Sequence, residues 1–140
     1  MNLIFKSSTM QMYVCYEQSL LLSVWTEKSR DCSLEEFRVF AQMWRETVIQ
    51  FQLRFALHDT RKFFFCLNPA MQDWASQEIF RPAFQANLEK NAFLTSEDLI
   101  ADLSLEQQTE ENKQWAPASA NAYFGSMEQA QHWLGVKVRL

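Results

Sequence analysis

Leu53-Arg54-Phe55-Ala56-Leu57-His58-Asp59-Thr60-Arg61 decides the fold. Its first six residues are short, apolar and flanked by helical patterns, as expected of a buried central strand. Upstream, Ser33-Leu34-Glu35-Glu36 has the form of a capping box. Behind it, Phe37, Phe40, Ala41, Trp44, Val48 and Phe51 recur at three- and four-residue steps, which predicts one amphipathic helix over about 34–52. Downstream, Phe63-Phe64-Phe65-Cys66-Leu67 leads into Asn68-Pro69, an N-cap followed by a first-turn proline. The predicted helix over about 69–89 carries Met71, Trp74, Ala75, Ile79, Phe80, Ala83, Phe84 and Leu88, with Pro82 expected to kink or divide it. A strand between two such helices is the unit of an α/β fold.

Reading outward, residues 2–6, 11–16 and 20–26 are strand-like and joined by links too short for a parallel crossover, so the chain opens antiparallel. Toward the other end, Asn91–Thr95 is a short strand. A helix follows from Thr95 or Ser96, with a second capping box at Ser104-Leu105-Glu106-Gln107 and a polar stretch at 106–114. Residues 120–124 are the last strand. Ser126-Met127-Glu128-Gln129 starts a short helix packed by Ala130, Trp133 and Leu134, and Gly135 fits its closing position. The tail from Val136 has a strand-like composition. The order β-β-β-α-β-α-β-α-β-α implies a mixed sheet with packed helices and an antiparallel start, in one domain over residues 1–140.

Composition narrows the function. A net charge of −4 leaves no electrostatic footprint for nucleic acid. The longest apolar runs are too short to span a bilayer, and no secretory signal opens the chain. Three cysteines without metal spacing argue against disulfide and zinc frameworks and fit the reducing cytoplasm. Cys15 and Cys66, in apolar runs, are expected in the core. Only two glycines are present, which excludes a glycine-rich phosphate loop. No cofactor or metal is expected.

Asp59-Thr60-Arg61 is the best address for a ligand or partner, because open α/β sheets gather ligands at the carboxyl ends of their strands. It joins an acceptor, a hydroxyl and a forked cation suited to a carboxylate or phosphate. Mutual pairing of Asp59 and Arg61 is the plainer alternative. Asn68 and Trp74 complete the candidate set. His58 and His132 lack metal-spaced partners, so each is expected to be structural. The acidic residues Asp98, Asp102, Glu106, Glu110 and Glu111 are expected on a solvated helix face. The alternating Phe63–Phe65 run is expected to leave one ring outside the core. No nucleophile–base pair is apparent, and no enzyme activity is expected.

These segments together resemble the SpoIIAA-like (STAS-like) proteins of Bacteroidetes bacteria. The resemblance rests on the Trp-ended Leu20–Trp25 strand, the Asp-Thr-Arg strand end, Asn68-Pro69 with Gln72-Asp73-Trp74, Ser96-Glu97-Asp98, Leu103–Gln107, and the closing Tyr123-Phe124, Ala130 and Trp133-Leu134. It covers about residues 11–134 and implies a sheet of four to five strands with helices. Antagonists of that family switch by phosphorylation of a serine at the helix start after the central strand. Here that place holds Cys66-Leu67-Asn68-Pro69, which has no hydroxyl. The functional expectation is a non-enzymatic regulatory or interaction domain that binds a protein partner or a second copy of itself. The alternative is a module for a small amphipathic or anionic, lipid-like ligand.

Overall fold

The computed structural model describes residues 1–96 and 118–139. Its strands are β1 (Asn2–Lys6), β2 (Met10–Cys15), β3 (Leu20–Trp25), β4 (Phe55–Asp59), β5 (Lys90–Leu94) and β6 (Asn121–Phe124). They lie in chain order across one six-stranded sheet. β1, β2 and β3 pair antiparallel, and β3 through β6 pair parallel. The α/β mixed sheet with an antiparallel start is therefore as the sequence predicts. Its six strands match the alternating order read from the sequence and exceed the four to five implied by the resemblance. The helix expected after Ser96, the Ser104 capping box and the acidic stretch at 106–114 lie outside the described residues.

Alternation within the strands builds two cores. Met10, Met12, Val14, Leu21, Trp25 and Ala56 point to one face, beneath α1 (Leu34–Gln50), α2 (Pro69–Trp74) and α3 (Arg81–Ala86). Leu20, Leu22, Leu57, Ala92 and Leu94 point to the other, beneath α4 (Met127–Leu134) and the tail residues Val136 and Val138. The run Leu20-Leu21-Leu22 is buried on both faces because β3 lies inside the sheet. The crossovers through α1 and through α2–α3 step in the same direction, so right-handed connection lays both on one face.

Local chemistry sets the helix ends. The Ser33 hydroxyl accepts the Glu36 N–H at 3.1 Å, and the Glu36 carboxylate accepts the Ser33 N–H at 3.3 Å. Phe37, Phe40, Trp44 and Val48 then form the buried stripe of α1. Each contributes roughly 2–3 kcal/mol by leaving water. Asn68 caps α2, and Gly135, at φ 73°, closes α4 in the left-handed conformation.

The segment between β4 and α2 is irregular, and this changes which cysteine is buried. Phe63 and Phe65 turn inward against Trp25 and Phe37, while Phe64 points out beneath the Arg30 guanidinium. Cys66 is consequently exposed and Cys15 only half-buried, and Cys32 is the cysteine in the core. Cys15, on β2, packs against the core as expected, whereas the expectation for Cys66 fails because no strand forms at 63–67 to carry it inward.

The helix predicted over 69–89 is divided just before Pro82, as expected. The chain passes from α2 through a π-helical turn, Ala75–Phe80, into α3, and the Arg81 N–H reaches back to the Ser76 carbonyl. The wider turn relieves the clash between a proline ring and the carbonyl four residues earlier. That carbonyl belongs to Glu78, and Pro82 has no N–H to offer it. Arg45 of α1 supplies the missing donor, at 2.9 Å. A double-mutant cycle in urea checks this compensation. Arg45→Ala should cost about 1 kcal/mol in the parent, and less in a Pro82→Ala background where residue 82 regains its N–H.

Candidate functional site

At the carboxyl end of β4, Asp59, Thr60 and Arg61 are brought together, but their polar groups satisfy one another or the sheet. The Asp59 carboxylate accepts from Arg61 Nε at 3.0 Å and Nη2 at 2.8 Å, a two-point ion pair. This bond is the main reason that the guanidinium is held even more firmly protonated than usual. Thr60 directs both its N–H, at 2.8 Å, and its hydroxyl, at 2.9 Å, to the Leu94 carbonyl, extending the β4–β5 pairing by one residue. Asn68 is engaged as the cap of α2, accepting the Met71 N–H at 2.8 Å. Trp74 is half-buried on the same helix, under the Arg38 guanidinium at 5.7 Å. The candidate set thus divides into a strand-end ion pair and two helix residues. The described crossovers share one face of the sheet, so they create no topological switch point to open a crevice there.

A second constellation, which sequence reasoning missed, lies beneath α1. Ser23 Oγ is 3.2 Å from His58 Nδ1, His58 Nε2 is 2.6 Å from Asn91 Oδ1, and Asn91 Nδ2 donates to Asn121 Oδ1 at 3.1 Å. One polar side chain from each of β3, β4, β5 and β6 forms a continuous row. Its protons are ordered. Because Asn91 gives its N–H to Asn121, its oxygen must accept, so His58 carries its hydrogen on Nε2. Nδ1 then accepts from the Ser23 hydroxyl. Every donor in the row points toward β6, where Asn121 Nδ2 has no acceptor among the described residues.

Rings enclose the row. The His58 imidazole stacks on Phe93 at 4.6 Å, and Phe93 stacks on Tyr123 at 4.8 Å, one ring from each of three adjacent strands. Trp44, at 5.1 Å, and Phe80, at 5.9 Å, close over the imidazole from the helical layer. Burial pushes the His58 pKa down from 6.5 to about 4, although the Asn91 hydrogen bond pulls the other way. Ser23 and His58 have the connectivity of a nucleophile and its base, but Ser23 is 2% exposed. No substrate reaches that hydroxyl in this conformation, and the row holds strands together.

The described residues also show an open cleft of about 620 Å³ between β6 and α4, lined by Phe124, Glu128, Gln129, His132 and Trp133. It is remote in sequence from residues 59–63. Lys90 sits over its Trp133 ring at 5.1 Å and donates to the Trp133 carbonyl at 2.9 Å. Among the described residues, no group of three acidic, histidine or cysteine side chains is placed to hold a metal. No described helix is long and apolar enough to cross a membrane.

No family model, curated protein or solved structure matches this chain.

Asn91 is the residue on which the buried row depends, since it both accepts from His58 and donates to Asn121. Asn91→Leu keeps much of the volume and leaves the His58 Nε2–H without an acceptor. It should destabilise the fold by about 1–3 kcal/mol in urea at pH 7.5. A stability change within about 0.5 kcal/mol would mean that the row carries little of the packing energy.

Proposed function

We propose that this chain is a non-enzymatic, regulatory protein-interaction domain that engages a second copy of itself, or a protein partner, through the open flank of its sheet. The observation that supports this is the uneven cover of the face opposite α1. Among the described residues, only α4, eight residues long, and the tail pack there. Toward β1 and β2, Leu3 remains 49% exposed directly across from Tyr13, which is itself only half-buried, as is Val24 on β3. Apolar groups on an uncovered sheet flank favour contact with another surface. The chemistry-bearing residues add to this reading. The strand-end cation is already paired with Asp59, and the serine–histidine pair is sealed.

A cytoplasmic setting is proposed with it, because all three cysteines are unpaired. A SpoIIAA-like regulatory role is the finer form of the same reading, supported by the resemblance of the sequence. The small-ligand alternative finds less support. Arg61 is not free to grip an anion without leaving Asp59, and the cleft beside α4 is open.

Native mass spectrometry separates these readings. A particle of two protomers without a small-molecule adduct is expected at micromolar concentration. Leu3→Glu changes a side chain already half in water and should return the particle to one protomer. A parent protein that remains one protomer overturns self-association. A co-purifying adduct retained by Leu3→Glu and lost by Arg61→Ala establishes ligand binding in its place.

A further inference from the structure

We propose that the Ser23–His58–Asn91–Asn121 row makes this domain acid-labile: complete near neutrality, and loosened reversibly in mildly acidic surroundings when His58 takes up a proton. The geometry allows the imidazole no second proton where it stands. Nε2 already donates to Asn91 Oδ1, and Nδ1 already accepts from Ser23. A proton on Nδ1 turns an acceptor into a donor. Ser23 must then rotate its hydroxyl hydrogen away, inside a strand where the residue is almost wholly buried.

Among the described residues the charge would also have no counter-ion. β3 presents Ser23 to the ring, β5 presents Asn91 and Phe93, α1 presents Trp44, and the π-helical turn presents Phe80. Asn121 of β6 closes the row. None of these side chains is acidic. Asp59 follows His58 directly, but it points to the opposite face, where it is paired with Arg61. Ring faces attract a cation, and Phe93 lies parallel to the imidazole. That attraction does not offset the loss of water around a wholly buried charge.

The sign follows from the lowered pKa. The folded state holds His58 neutral down to about 4, whereas the unfolded chain takes up the proton near 6.5. The contribution of His58 is therefore whole above pH 6.5 and is lost as the pH falls toward 4. The folding constant falls roughly tenfold per pH unit in that window, about 300-fold in all. The aromatic layer of Trp44, Phe80 and Phe93 is the part that must part to hydrate the ring.

Urea unfolding of the full chain at pH 7.5 and pH 5.0 tests the proposal. The parent folding constant should drop about 30-fold between the two, and that of His58→Gln, which cannot titrate, less than threefold. Equal drops overturn the proposal. Should His58→Gln fail to fold, nitrogen NMR of the parent rings decides, with His132→Gln assigning the signals. The expected result is a His58 ring that stays neutral and Nε2-protonated down to pH 5, taking up its proton only together with a change in tryptophan fluorescence. Proton uptake near pH 6.5 with the aromatic packing unchanged would refute it.

Discussion

The buried hydrogen bond between His58 and Asn91 is the constraint on which the parallel half of this molecule depends. Parallel strands do not hold their register through tight turns, and a slip of one residue moves every side chain to the other face. Here such a slip would carry His58 into the core of Leu20, Leu22 and Ala92, drive Leu57 out of it, and separate His58 from both Ser23 and Asn91. Apolar packing tolerates many near-equivalent arrangements, whereas a directed row of donors and acceptors tolerates few. The row therefore adds specificity to the energy supplied by the two leucine-rich cores.

Its helical cover is built around the same residues. The π-helical turn brings Phe80 onto the imidazole, and that turn exists where a proline interrupts a continuous helix. Arg45, one residue beyond Trp44, takes the carbonyl that the proline leaves without a donor. α1 thus supplies both a ring over His58 and the donor that repairs the next helix. Backbone irregularity, aromatic packing and the polar row are linked through one contact region.

The two faces of the sheet differ in finish. One carries α1, α2 and α3 with a dense set of ring contacts. Among the described residues, the other carries one short helix and a tail held by side chains: Gln18 accepts the Lys137 N–H at 2.7 Å and donates to the Lys137 carbonyl at 2.7 Å. These two bonds imitate a strand pair without forming one. The exposure of Leu3 beside Tyr13 is the feature that supports the proposed docking role. It arises because β1 and β2 are joined by turns and bring no helix of their own.

The sequence by itself determined the α/β class, the antiparallel opening, the Ser33, Asn68 and Gly135 helix ends, and the apolar stripe of α1. These are local matters of periodicity and capping, and a neighbour on the chain decides each of them. The strand end at Asp59–Arg61 was equally legible, including the chance that its two charges answer each other. Ser23, His58, Asn91 and Asn121 were not legible as a group, because the first and the last are 98 positions apart in the chain. In the sequence they are four isolated polar residues in apolar strands. Only the parallel register aligned their side chains, and only burial turned that alignment into a constraint. The exposure of Cys66 was decided the same way: its apolar neighbours promised a strand, but Phe63 and Phe65 found Trp25 and Phe37 across the fold and drew the segment out of the sheet.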